Sequence, residues 1–176
     1  DDQGRVFTGD GSKLTSYAYY GTPVHAAADG VVVNAYNAAD EQVPGEDAKG
    51  LTTESIGGNM LVVDIGGGAF AFYAHMQRDS LKVQLGDHVR AGDVIGLLGN
   101  TGNSTAPHLH FHVMDGPSPL DANGLPYVFS RFSSQGVLPP GGDDAIESGE
   151  PAKIEARLAG EHRNQLPLNN EVVDFE

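Results

Sequence analysis

Between residues 30 and 115 apolar residues come in short runs broken by Gly, Asn or Asp. "VVVNAY" (Val31–Tyr36) reads as a strand, and the polar, Gly- and Pro-containing stretch from Asn37 to Gly58 reads as a long loop. "NMLVVDI" (Asn59–Ile65) and "AFAFYAHM" (Ala69–Met76) flank Gly66–Gly68. Two strands closing on such a triplet predict a hairpin, because Gly supplies the positive φ of a tight turn. "LKVQLGDHVRAGDVIGLLGNTGNS" (Leu81–Ser104) alternates apolar pairs with Gly turns, and "HLHFHVM" (His108–Met114) predicts a further strand. Helical periodicity is missing before about residue 140. From Pro139 the composition changes to "PPGGDDAIESGEP", a linker or long loop. Beyond it "KIEARLAG" (Lys153–Gly160) and "EVVDF" predict two last strands. The pattern is that of a mostly β, antiparallel protein.

Composition narrows the function classes. The chain has 176 residues, enough for one domain or one domain with a tail, and 24 of them are Gly, as short strands and tight turns require. A formal net charge of −14 argues against nucleic acid or an anionic membrane surface as a partner. With no Cys, disulfides and thiol chemistry are excluded. No apolar run approaches the ~18 residues of a transmembrane helix, and no export signal opens the chain at "DDQGRVF".

The chemistry concentrates in "APHLHFHV" (Ala106–Val113). On a strand, alternate side chains share a face about 6.5–7 Å apart, so His108, His110 and His112 project together. Imidazoles grouped on an otherwise apolar strand are well placed to share a metal or an activated water. His75, closing "FYAHM", is a weaker signal on its own and gains weight only beside that motif.

The order "GTPVHAAADGVVV … GGNMLVVDIGGG … FAFYAHM … LKVQLGDHVRAGDVIGLLGNTGNSTAPHLHFHVM" resembles the lysostaphin/LytM-type zinc endopeptidases over Gly21–Met114, with a plausible continuation to about residue 138. The resemblance implies an antiparallel β-sheet groove domain of the LytM, duplicated-hybrid-motif type at 21–138. Residues 1–20 would be an insertion or domain interior, and residues 139–176 an acidic C-terminal extension that docks through "VVDF". It implies a zinc-dependent endopeptidase acting on peptide stems or cross-bridges of peptidoglycan, hence a periplasmic or extracellular location. His110 would be a Zn2+ ligand, and His108 and His75 the catalytic histidines. Asn59 in "GGN" matches a family-typical Asn, although a turn role explains it equally well.

The family's other two ligands are a His and an Asp spaced H-x-x-x-D. "HAAAD" (His25–Asp29) has that spelling but follows "GTPV", where the family has the strand entering its "A-D-G" turn. Residues four apart on a strand lie ~13 Å apart, too far for ligands each ~2 Å from one ion. The spelling is read as coincidence. Residues 1–20 hold no His, and Asp1, Asp2 and Asp10 stand in no such motif. The metal site is therefore expected to be incomplete in this chain, its missing half lying upstream. The alternative is a degenerate LytM-like module that binds or activates another wall hydrolase. His112 stands where the family commonly has Glu and is either a partner of the site histidines or simply a strand residue, the second being preferred; Ala106 replaces a common Gly. His88 and His162 read as surface turn and tail residues. A third class, suggested by "GDHVRAGDVIG", is the biotinyl/lipoyl carrier or sugar-phosphotransferase IIA fold; the carrier Lys is missing, and "YAH" with "PHLHFHV" fits the peptidase better.

Overall fold

The computed structural model describes residues 4–142 and 147–175; the linker read at Pro139–Pro151 thus includes four residues, 143–146, that lie outside the described ones, as do Asp1 and Asp2. The chain divides into two compact units, residues 10–125 and residues 1–9 with 126–176.

The first unit contains β1 (Pro23–His25), β2 (Gly30–Tyr36), β3 (Asn59–Gly66), β4 (Ala69–Met76), β5 (His88–Val89), β6 (Val94–Leu97), β7 (His110–Met114) and β8 (Gly124–Leu125). Six of these form one antiparallel sheet in the order β5-β2-β3-β4-β7-β8, and β1 pairs with β6 in a two-stranded ribbon. The β3–β4 hairpin turns on Gly66, Gly67 and Gly68, whose φ values of 86°, 66° and 80° are those a side chain resists. Residues 37–58 form the expected long, irregular connection. The third motif strand begins later than its hydrophobic pattern suggested, at His110, leaving His108 and Leu109 in the preceding loop.

Both faces of the sheet carry apolar side chains. On one face Val32, Leu61, Val63, Ala71 and Tyr73 pack with Val24, Ala26, Val89 and Ile95. Tyr73 is 1% exposed, and its hydroxyl accepts the Ala27 N–H at 2.8 Å. On the other face Val62, Phe72, Ala74 and Met114 make a smaller cluster. Period-two alternation along β3, β4 and β7 generates both sets.

In the second unit β9 (Phe129–Val137) lies between β10 (Gly160–Gln165) and β11 (Glu171–Asp174). "EVVDF" forms the expected strand. "KIEARLAG" does not: Glu155 makes an isolated bridge to Val137, Leu158 turns the chain at φ 69°, and the strand starts only at Gly160. β10 reads "GEHRNQ", almost wholly polar, so no apolar alternation marked it. His162 is more than a tail residue. Its ring stacks on Phe132 at 5.0 Å and its Nε2 donates to the Leu158 carbonyl at 2.7 Å. That carbonyl, ahead of Gln165, holds its pKa above the usual value.

A histidine-lined cleft

β4 and β7 pair with Phe72 opposite His112 and Ala74 opposite His110. His110 and His112 therefore leave the sheet on the same face as Phe72 and Ala74, as their spacing predicted. Phe72 meets both rings edge-on, with centroids 5.7 Å from His110 and 5.1 Å from His112. His110 Nε2 and His112 Nδ1 are hydrogen-bonded at 2.9 Å. His112 is thus a partner of His110 within the cleft, not merely a strand residue.

His75 reaches the same cleft by breaking the alternation. Between the pairs Leu61↔Tyr73 and Asn59↔Met76, β3 contributes one residue and β4 two. This is a β-bulge, and its extra residue shifts the following side chains by one face. Strict alternation would place His75 beside Tyr73 in the core; instead Met76 enters that core and His75 lines the cleft. His75 adopts φ 62°, a left-handed conformation uncommon outside Gly. Its N–H donates to Gly57 O at 2.9 Å, its carbonyl accepts from Gly99 N–H at 3.1 Å, and its Nδ1 donates to Thr101 O at 2.8 Å.

Thr101 is itself fixed. Its hydroxyl donates to Met76 O and accepts the Asn59 N–H, each at 2.8 Å. Asn59 is fully buried and spends its side chain on Ala39 N–H, Ala39 O and Met76 O. Its place in the structure is to fasten the long loop to the sheet. Glu41, on the same loop, accepts Arg78 N–H at 3.0 Å and Asn100 N–H at 2.7 Å. Burial raises its pKa above the usual carboxylate value. No motif reading picked out Glu41 or Thr101, since lone polar residues in loops carry no periodic signal.

His108 lies just before β7. Its Nδ1 donates to Ala106 O at 2.9 Å, with Ser104 Oγ at 3.2 Å. Its ring centroid is 4.6 Å from that of His75, and the His110 centroid is 5.9 Å from His75. The three sequence-selected histidines and His112 are therefore one cluster. His75, His110 and His112 border a cleft of about 520 Å³ whose wall includes Phe72, Ala74 and Glu54. Burial, followed by the neighbouring imidazoles, lowers the pKa of His75 to about 4. Burial and then His112 lower that of His110, and burial lowers that of His112. These three are uncharged at neutral pH and keep one ring lone pair each.

A family-type zinc site needs three protein ligands around one ion. Among the described residues no three His, Asp or Glu side chains are grouped to hold a metal ion. "HAAAD" does not supply the missing half: His25 Nδ1 bonds Gly92 O at 2.7 Å, and Asp29 accepts the Ala91 N–H at 2.8 Å. Both serve the turn at residues 90–93. Asp10 is engaged with Ser12 and Lys13. The described residues therefore do not fit a three-ligand zinc site.

The site is thus an antiparallel sheet with four clustered histidines, three on its strands and His108 in the loop before β7, beside an open cleft. Residues 12–122 match the model of peptidase family M23, and the chain belongs to that family. It is 39% identical over 94 residues to the glycyl-glycine endopeptidase ALE-1 of Staphylococcus capitis, covering 53% of this chain and 22% of the relative. It is 33% identical over 102 residues to the peptidoglycan DD-endopeptidase ShyA of Vibrio cholerae serotype O1, covering 58% of this chain and 20% of the relative. The chain thus spans about a fifth of these relatives' lengths. The solved catalytic domain of lysostaphin from Staphylococcus simulans is 31% identical and aligns over 69% of this chain and 84% of its own, with a TM-score of 0.44. The chain is homologous to these LytM-type endopeptidases.

Proposed function

We propose that this chain is the histidine-bearing part of a zinc-dependent endopeptidase that cuts peptide stems or cross-bridges of bacterial peptidoglycan outside the cytoplasmic membrane. The observation that carries this reading is the clustering of His75, His108 and His110, with the His108 and His110 rings 4.6 and 5.9 Å from His75, beside a cleft that His75 and His110 line. His75 and His108 each give their Nδ1 proton to a backbone carbonyl, of Thr101 and of Ala106. A carbonyl only accepts, so the proton of each ring's Nδ1 is fixed there and the ring's other nitrogen, Nε2, faces the reacting group. One Nε2 takes a proton from the attacking water and passes it to the leaving amine, while the other, protonated from bulk water, donates to the developing oxyanion. General-base help of this kind is worth roughly 10²–10⁴-fold in rate. The apolar wall at Phe72 and Ala74 keeps the peptide in register and reduces water around the reacting carbonyl.

Zinc enters through the family. His110 is its one family-type ligand among the described residues. Elemental analysis of the 176-residue chain after dialysis against a weak chelator is expected to find far less than one zinc per chain. A ratio near one would overturn the incomplete-site part. Substrate class is tested by titrating the ¹⁵N-labelled chain with a peptidoglycan stem peptide and with its cross-bridge peptide. His75, His108 and Phe72 signals are expected to shift together; silence at all three would refute the substrate reading. The lack of a three-ligand set among the described residues favours one second reading, a non-cutting module that binds or activates another wall hydrolase. It predicts the same binding and capture of a second hydrolase, with no cleavage when zinc and the missing motif are supplied.

A further inference from the structure

The loop between β7 and β8 forms part of the cleft rim through Ser118, Pro119 and Leu120. Its two ends are clasped together by Asp115 and Asn123. The Asp115 N–H donates to Asn123 O at 3.0 Å, and the Asp115 carboxylate accepts the Asn123 N–H at 2.7 Å and its Nδ2–H at 3.0 Å. These donors hold the Asp115 pKa below the usual carboxylate value, so an anion faces the carboxamide at neutral pH. Asn123 precedes Gly124, and this is the one Asn-Gly step in the sequence.

From this arrangement we propose that Asn123 is a self-modification site, which cyclises onto the Gly124 nitrogen and opens to aspartate or isoaspartate, and that the conversion unfastens the cleft-rim loop. The step balances with water as the only co-reactant. The Gly124 nitrogen gives its proton to a solvent base and attacks Cγ of Asn123. The new N–Cγ bond closes a cyclic imide as the Cγ–Nδ2 bond breaks, and Nδ2 leaves as ammonia. Water then opens the imide at either carbonyl. Nothing is oxidised or reduced, and a carboxamide has become a carboxylate.

The backbone leaves this nitrogen open to react. β8 pairs Leu125 with Val113 and Gly124 with Met114, while Asp115 N–H bonds Asn123 O. Bonded and non-bonded pairs alternate in an antiparallel ladder, so Gly124 sits in a non-bonded pair and its N–H points away from β7. β8 is the last strand of its sheet, so that N–H faces outward from an edge. Asn123 and Gly124 are both exposed, and Gly124 has no Cβ to hinder the approach. The product matters because of its neighbour. A carboxylate at residue 123 replaces a donor bond to Asp115 with like-charge repulsion. The isoaspartyl form also lengthens the backbone by a methylene and upsets the register with Met114. Ala122, next in the chain, packs on the cluster of Val62, Phe72, Ala74 and Met114, so the loosened end reaches the cleft's apolar wall. This inference does not depend on the endopeptidase reading.

The test is peptide mapping by mass spectrometry of the 176-residue chain aged in mildly alkaline buffer, beside Gly124→Ala, Asn123→Ser and Asn123→Asp. A Cβ on Gly124 meets no atom within 4 Å, so the alanine leaves the fold unchanged while hindering ring closure. Asn123→Ser has no carboxamide and is the second unreactive control. The wild-type peptide holding Asn123 is expected to gain one mass unit and split into aspartyl and isoaspartyl forms. Gly124→Ala is expected to lose most of that gain. Amide ¹H–¹⁵N signals of Ser118 and Leu120 should move in the aged wild type and in Asn123→Asp, and stay in place on ageing Gly124→Ala or Asn123→Ser. An unmodified Asn123, or equal conversion in Gly124→Ala, would overturn the cyclisation. Conversion that leaves the Ser118 and Leu120 signals unmoved would overturn the unfastening of the loop.

Discussion

The depressed pKa of His75 makes a quantitative prediction about acid stability. His75 is 6% exposed and its pKa falls from the usual 6.5 to about 4, burial being the largest cause. Between those two values the unfolded chain takes up a proton that the folded chain refuses. The unfolded state then binds more protons, so stability is fully present above about pH 6.5 and is lost as pH falls toward 4. At about 1.4 kcal/mol per pH unit, the gap corresponds to roughly 3 kcal/mol. That is a sizeable part of the ~5–15 kcal/mol that holds a typical domain folded. His110 and His112 shift the same way, so a pH profile of the wild type alone would not isolate His75.

His75→Asn does isolate it. Asn tolerates the left-handed region that φ 62° requires, and its side-chain N–H stands close to where His Nδ1 donates to Thr101 O. It has no proton to gain in this range. Urea unfolding at half-unit steps from about pH 7.5 to 4 should give the wild type a steeper loss than the variant, the difference reaching roughly 3 kcal/mol near pH 4. Parallel curves, or an NMR titration of His75 centred near the usual 6.5, would refute the reasoning and with it the neutral, base-ready state assigned to this ring.

Three further substitutions probe the frame around the cleft. Tyr73→Phe removes the acceptor of the Ala27 N–H, a part-buried hydrogen bond, and should cost about 0.5–1.5 kcal/mol, measured as a lower urea midpoint with unchanged slope. Gly102→Ala places a Cβ against the Gly58 backbone at φ 74°, and should cost about 2 kcal/mol or more while displacing the His75 signals through neighbouring Thr101. Glu41→Gln leaves one oxygen to serve two backbone N–H groups, so amide exchange at Arg78 or Asn100 should quicken and stability fall by about 1–3 kcal/mol.

Much of the β architecture was legible because it obeys period two. Val31–Tyr36, Asn59–Ile65 and Ala69–Met76 are apolar runs between turn residues, and they are β2, β3 and β4 within a residue or two. The common face of His110 and His112 was equally readable, although the bond between them was not, since it depends on rotamers that Phe72 sets. The demotion of "HAAAD" assumed an extended segment; the strand in fact ends at His25, and it is the hydrogen bonds of His25 and Asp29 to the turn at 90–93 that occupy the two side chains. Illegible features are those where tertiary context overrides the local pattern. One added residue in β4 moves His75 to the opposite face, and nothing in "FYAHM" marks the bulge. Strand β10 is polar on both sides, so composition gave no sign of it.

The bulge also explains why the cleft's most buried histidine is stable where it is. A non-Gly residue in the left-handed region costs about 1–2 kcal/mol. The backbone N–H, the carbonyl and the ring Nδ1 of His75 each gain a hydrogen bond there, to Gly57, Gly99 and Thr101. At about 0.5–1.5 kcal/mol net apiece, the three offset the strain. Each partner is held from a different direction: Gly57 by the long loop, Gly99 by the chain leaving β6, and Thr101 by Asn59 and Met76. None of these is on β7, which carries His110 and His112, and His108 is fixed separately by Ala106 and Ser104. The cleft therefore combines two kinds of positioning. A regular strand sets the His110–His112 pair by period, and a strained, triply bonded bulge sets His75 against His108. Substitutions in the long loop should consequently disturb His75 while leaving the β7 pair in place, and substitutions at Phe72 should do the reverse.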